Sequence, residues 1–186
     1  MASENVTPIM DETAVRRALA RMGREMVERN GGAQGLILMG IRRRGDHLAA
    51  LLQEEIAAAE GVEVPIGALD ITLYRDDLAT VGPRPLVGET QLPPGGIDDA
   101  TVVLVDDVLF TGRTIRAALN ELMDYGRPSR VLLCVLVDRE GREIPIQADL
   151  VGRHVEWVGR QRVEVRVPEL DGRLAVELVT TAEDDA

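Results

Sequence analysis

The chain has 186 residues, 45 % of them apolar and 28 % charged, which suits one soluble globular domain with a full core. All 21 basic residues are arginine, and without lysine the Walker-type phosphate loop, the protein-kinase strand lysine and Schiff-base chemistry are excluded. Two histidines and one cysteine cannot build a zinc cluster, and a net charge of −11 opposes indiscriminate nucleic-acid binding, though it leaves room for a local basic face.

In chain order, residues 11–30 read as an amphipathic helix, with Asp11 or Thr13 as cap and Gly31-Gly32 as stop. Val15, Leu19, Met22 and Met26 form its apolar stripe, and Arg17, Arg21 and Arg24 fall on the opposite face. That arginine face is either a solvated surface or a phosphate-binding stripe. The apolar run at 35–41 is a buried strand, followed by three arginines and a second helix over 46–60. Residues 64–74 are β-rich, and 75–99, full of proline and glycine, read as a long loop or arm.

Strands are expected at 101–105 and 131–137, with a helix over 113–125 between them. Strand and helix alternating with strands apolar on both faces indicates an α/β fold around a parallel sheet. Beyond residue 138, short alternating segments at 162–167 and 174–179 suggest a small β hood, giving a single domain over 1–186. With a lone Cys134, no secretory signal and no membrane-length apolar run, a reducing cytoplasm is the expected location.

The segment VVLVDDVLFTGRT, residues 102–114, carries the chemistry. A buried strand delivers Asp106 and Asp107 to the carboxyl end of the sheet, where ligands bind in open α/β folds. Thr111, Gly112, Arg113 and Thr114 then turn into a helix, offering backbone N–H groups, hydroxyls and the positive helix end to a phosphate. Acids on one side and a phosphate cradle on the other span roughly a ribose, and a sugar phosphate fits.

This segment resembles the phosphoribosyl-pyrophosphate signature of type I phosphoribosyltransferases. With LDITLYRDDL, GIRRRG, YGRPSRVLLCVLVDR and REIPIQADLVG in the same order, the chain resembles the bifunctional pyrimidine-operon regulators and uracil phosphoribosyltransferases. The resemblance implies the type I phosphoribosyltransferase fold, with a flexible arm over about 75–99 and a hood from about 139 onward together with the N-terminal segment. It implies transfer of ribose 5-phosphate to uracil, giving UMP and pyrophosphate, with Mg²⁺ on the donor and near Asp106 and Asp107, directly or through substrate and water. Donor-binding residues would be Gly40, Ile41, Arg42, Arg43, Arg44, Arg75, Asp106, Asp107, Val108, Leu109, Phe110, Thr111, Gly112, Arg113 and Thr114. Asp106, Asp107 and Arg44 would be catalytic, and Val137, Asp138 and Arg139 would meet the base edge.

The family's second activity is binding of leader mRNA in response to uridine nucleotides (UMP or UTP), for which Arg17, Arg21, Arg24, Arg142 and Arg153 are the candidates. The chain departs from the family nearby. A usual Asp-Arg-Gly-His-Arg-Glu run reads Asp138-Arg139-Glu140-Gly141-Arg142-Glu143, Gln147 replaces an arginine, and Glu156-Trp157-Val158 replaces a Pro-Thr-Ser segment. Three readings stay open: a transferase that also regulates, a transferase without RNA regulation or for another base, and an RNA-binding regulator with little catalysis. A homodimer or higher homo-oligomer is implied by the resemblance.

Overall fold

The computed structural model describes residues 4–74, 88–156 and 161–181. Arg75 and the rest of 75–87, the first half of the expected arm, lie outside them, as do Trp157 and Val158. β1 (Glu4–Met10) leads into α1 (Glu12–Asn30), and β2 (Leu36–Ile41) into α2 (Gly45–Glu60). β3 (Ile66–Leu69) and a 3₁₀ turn (Ile71–Tyr74) follow, then β4 (Thr101–Leu109), α3 (Arg113–Tyr125), β5 (Arg130–Arg139) and β6 (Leu150–Val155). β7 (Arg162–Arg166), the short α4 (Pro168–Asp171) and β8 (Ala175–Thr181) close the chain.

Five parallel strands in the order β3-β2-β4-β5-β6 form the central sheet, and β1-β8-β7 form an antiparallel hood. α1 begins where a local cap permits: the Asp11 side chain accepts from the Ala14 N–H at 2.8 Å, and Gly31 ends the helix in the left-handed region. The alternation of β2 and β4 builds two cores. Leu36, Leu38, Val103 and Val105 pack with α1, α2 and the hood, whereas Ile37, Met39, Val102 and Leu104 pack with α3.

Two boundaries differ from the sequence reading. β4 runs on to Leu109 instead of ending at 105, because β5 keeps pairing with it through Leu109↔Asp138; Asp106 and Asp107 therefore sit within the strand. Residues 150–155, expected in the hood, extend the central sheet as its edge strand, paired parallel to β5 from Cys134↔Leu150 to Arg139↔Val155. Among the described residues the later part of the hood begins at Arg162. No helix among the described residues is long and apolar enough to cross a membrane.

Candidate active site

Three strand ends, β2, β4 and β5, meet beneath the hood. Close backbone packing brings the first two together: a Cβ at Gly45 would run into the Val105 carbonyl oxygen and come within 3.2 Å of the Asp106 Cα. Glycine there lets the start of α2 lie directly on β4. The arginine loop, residues 42–44, is thereby held beside the two acids.

Asp106 is 6 % exposed. Burial, and then the neighbouring charge of Asp107, push its carboxyl well above the ordinary carboxylate range. Burial also raises Asp107, against the opposing pull of the Val108 N–H, which donates to its Oδ1 at 2.8 Å, and of the Arg44 charge. A buried carboxyl beside a half-buried one suits ribose hydroxyls or a hard cation. Among the described residues no group of three or more His, Cys, Asp or Glu converges to cage a metal. Asp106 and Asp107 fit Mg²⁺ only as a cation sharing its coordination with donor oxygens and water.

The arginine loop adds unsatisfied donors. The Nε atoms of Arg42 and Arg44 are buried without a hydrogen-bond partner, while Arg43 is exposed. Orphaned buried guanidinium N–H groups are costly, and an anion's oxygens would satisfy them. Gly40 and Ile41 end β2, with the Ile41 side chain in the core, so these two offer only backbone to a ligand.

After β4, Phe110 and Thr111 turn through Gly112, whose φ of 92° lies in the left-handed region, into an α3 start without a side-chain cap. The loop following β5 clamps this turn: the Thr111 carbonyl accepts from the Glu143 and Ile144 N–H groups at 2.9 Å and 3.0 Å. Arg113 Nε donates to Glu143 at 2.6 Å, leaving Arg113 and Thr114 exposed at the helix start. Val108 is half-buried and Leu109 is in the α3-side core.

Of the residues expected to meet a base, Val137 is fully buried and presents only its backbone. Asp138 sits between Arg142 and His154, accepting from Arg142 at 2.5 Å with His154 Nδ1 3.3 Å away. Arg139 lies over the Phe110 ring, 4.1 Å from its centroid, and burial lowers its pKa. A cavity of about 260 Å³ opens here, lined by Asp138, Arg139, Glu140, Arg142, His154 and Val155 among others, a size suited to one base.

Arg142, read from charge as an RNA contact, is turned inward. It donates to the Arg139 carbonyl at 3.0 Å and to that of Phe110, besides Asp138, and so ties the base-side strand end to the phosphate turn. The other four arginines of that reading share one exposed side. Arg17, Arg21 and Arg24 lie along α1, and Arg21 donates to the Val151 and Gly152 carbonyls of β6 at 2.8 Å and 2.9 Å. Arg153 reaches back to the Ile9 carbonyl at 3.3 Å. Sequence reasoning missed His154, whose pairing with Asp138 depends on β6 lying next to β5, and Asp171, which accepts from Arg44 at 3.3 Å across 127 positions.

Known proteins share this fold. The phosphoribosyl transferase domain family matches residues 5–165. The chain is 50 % identical over 175 residues to the bifunctional protein PyrR of Pelotomaculum thermopropionicum, covering 94 % of this chain and 96 % of the relative. It is 53 % identical over 170 residues to the bifunctional protein PyrR of Thermus aquaticus, covering 91 % and 93 %. Among solved structures, a hypoxanthine phosphoribosyl transferase of Trypanosoma cruzi superposes with a TM-score of 0.72 at 19 % identity, covering 95 % and 92 % of the two chains. At that identity the likeness speaks to the fold.

Proposed function

Because this chain belongs to the PyrR family of type I phosphoribosyltransferases, we propose that it converts uracil and phosphoribosyl pyrophosphate to UMP and pyrophosphate and that it binds pyrimidine-operon leader mRNA in response to uridine nucleotides. The observation that carries the catalytic half is the adjacent Asp106–Asp107 pair, with Asp106 buried, set between the partnerless Nε atoms of the arginine loop and the uncapped start of α3.

In the reaction the bond between ribose C1′ and the pyrophosphate oxygen breaks, a bond forms from C1′ to uracil N1, and the N1 proton passes to solvent or phosphate. Arg44, with Arg42 and Arg43, receives the charge that develops on the leaving pyrophosphate. Asp106 and Asp107 accept from the ribose hydroxyls and place negative charge near the oxocarbenium-like carbon. Charges already in place at both ends of the breaking bond favour the transition state over the ground state. The turn through Phe110, Thr111, Gly112, Arg113 and Thr114 holds the 5′-phosphate by its N–H groups and hydroxyls. Mg²⁺ bound with the donor would neutralise pyrophosphate charge next to Asp106 and Asp107. The uracil edge meets the Val137 backbone, Asp138 and Arg139, whose orientation Arg142 maintains. Arg75 is assigned to the donor by resemblance alone.

For the regulatory half, Arg17, Arg21, Arg24 and Arg153 give a basic face on an otherwise acidic protein, suited to RNA phosphates. Two copies of that face in a homodimer would make a longer surface, and a buried reduced Cys134 suits a cytoplasmic location. One preparation tests both halves. UMP formation from uracil, donor and Mg²⁺ is followed with Asp106→Asn as control, and binding of a leader hairpin and a scrambled RNA is measured with and without UMP across a salt series. UMP production together with UMP-promoted, salt-sensitive hairpin binding is expected. A protein that makes UMP but binds both RNAs equally would reduce the assignment to a salvage transferase, and one that makes no UMP would overturn the catalytic half.

A further inference from the structure

The donor site and the hood meet at one ion pair. Arg44, the residue before α2, donates from its NH2 group to both carboxylate oxygens of Asp171, at 3.3 Å and 3.5 Å. A guanidinium is planar, with five donors in a fixed fork, so anchoring one nitrogen sets the direction of the rest. The Arg44 Nε is buried and unpartnered, and the Arg44 charge is felt at Asp107.

Asp171 is itself firmly held. Its Oδ2 accepts from the Val167 N–H at 2.9 Å, and Arg166 NH1 lies 3.5 Å from Oδ1. Burial pulls its carboxyl up, but the Val167 N–H and the charges of Arg44 and Arg166 outweigh that and hold it below the usual range. Arg166 is braced in turn by Glu164 and Glu177, and Glu177 also pairs with Arg173. A second contact, His47 Nδ1 to Glu169 at 3.5 Å, joins α4 to the first turn of α2.

We propose that Asp171 is the positioning residue for Arg44, a hood carboxylate that orients the guanidinium for the donor's pyrophosphate before the donor arrives. The proposal rests on the assignment of Arg44 to pyrophosphate made above. A long arginine side chain loses rotamer freedom when it grips an anion, and a fixed carboxylate on its far side has already taken that loss during folding. The hood thus takes part in donor binding without touching the donor.

The test is Asp171→Asn, which keeps an acceptor for the Val167 N–H and removes the charge. Initial rates give kcat and the KM of each substrate, and titration with magnesium pyrophosphate gives product affinity without turnover. The KM for phosphoribosyl pyrophosphate and the pyrophosphate Kd are expected to rise about fivefold to twentyfold, with kcat and the uracil KM within about twofold. Asp171→Glu should recover part of the loss. Arg173→Gln, which disturbs the hood at Glu177 but not at Arg44, should leave the donor KM unchanged, and in an Arg44→Gln background Asp171→Asn should add nothing. Unchanged or tighter pyrophosphate binding by Asp171→Asn overturns the proposal. So does an equal rise in both KM values with a matching effect of Arg173→Gln, which would mark a merely structural role. Failure of wild-type protein to form UMP bears on the catalytic assignment instead, while the pyrophosphate titration still decides the role of Asp171.

Discussion

Replacing Gly45 by alanine would push a methyl group into the contact that sets the arginine loop against the acids. The added Cβ would fall well inside van der Waals contact with the Val105 carbonyl oxygen and lie 3.2 Å from both the Val105 carbonyl carbon and the Asp106 Cα. Carbon atoms rest at about 3.5–4.0 Å, so the two backbones must part, by about 1 Å at the oxygen. No rotamer change relieves this, because the obstructing atoms are main chain and β4 is pinned between β2 and β5. The start of α2 must move, at an overpacking cost of about 1–3 kcal/mol. For a chain of this size that lowers Tm by about 2–12 °C. The functional cost is larger in proportion, since Arg44 moves with Gly45 and about 1 Å of misplacement can cost about 100-fold. Steady-state UMP formation at saturating uracil should show kcat/KM for the donor down by that factor, about 2.7 kcal/mol. Gly61→Ala is the matched control: Gly61 ends α2 at φ 70° with nothing near its Cβ, so alanine there should lower Tm by a similar few degrees and leave kcat/KM intact. A Gly45→Ala protein that retains donor kcat/KM within threefold of wild type would refute the reasoning.

Asp106→Asn should cut kcat by about 100- to 1,000-fold yet stabilise the metal-free protein. The folded carboxyl titrates above its unfolded value, so its ionised form costs stability at neutral and higher pH, and that cost disappears as pH falls and the native state takes up the proton. Melts in chelator should place the variant above wild type at pH 8 with the gap closing toward pH 4 (roughly the unfolded carboxyl range); equal Tm values at pH 8 would contradict it. Arg17→Ala and Arg24→Ala should each weaken hairpin binding and reduce its logarithmic salt slope by about 0.7–0.9 while UMP formation holds, and an unchanged slope would remove α1 from the RNA face. Arg142→Met should raise the uracil KM by about tenfold and lower stability by about 1–2 kcal/mol, because Asp138 and two carbonyls lose their donor; a normal uracil KM would dissociate Arg142 from the base side.

What could be read from the sequence was what is local. Asp11 and Gly31 mark the ends of α1 because caps act within a turn, and the apolar runs of β2, β4 and β5 announce buried parallel strands. The acids and the phosphate turn were legible because they are contiguous. β1 was missed because ENVTPIM carries no strong pattern and its partner is β8, from Glu4↔Thr181 onward. β6 passed for hood because LVGRHV is an edge strand with only Leu150 fully buried, and only its pairing with β5 makes it part of the central sheet. The charge of Arg142 was plain, but nothing in its spacing says that the guanidinium turns inward to Asp138.

β6 is common ground for two surfaces. Its Val151 and Gly152 carbonyls hold Arg21, its Arg153 reaches Ile9, and its His154 lies against Asp138 at the mouth of the cavity. Of these four successive residues the first three thus serve the arginine face and the fourth the base side. Among the described residues Arg17 and Arg24 make no hydrogen bond or ion pair to this strand. A change along β6 is felt by both surfaces, whereas the outer positions of α1 can change without disturbing the base side.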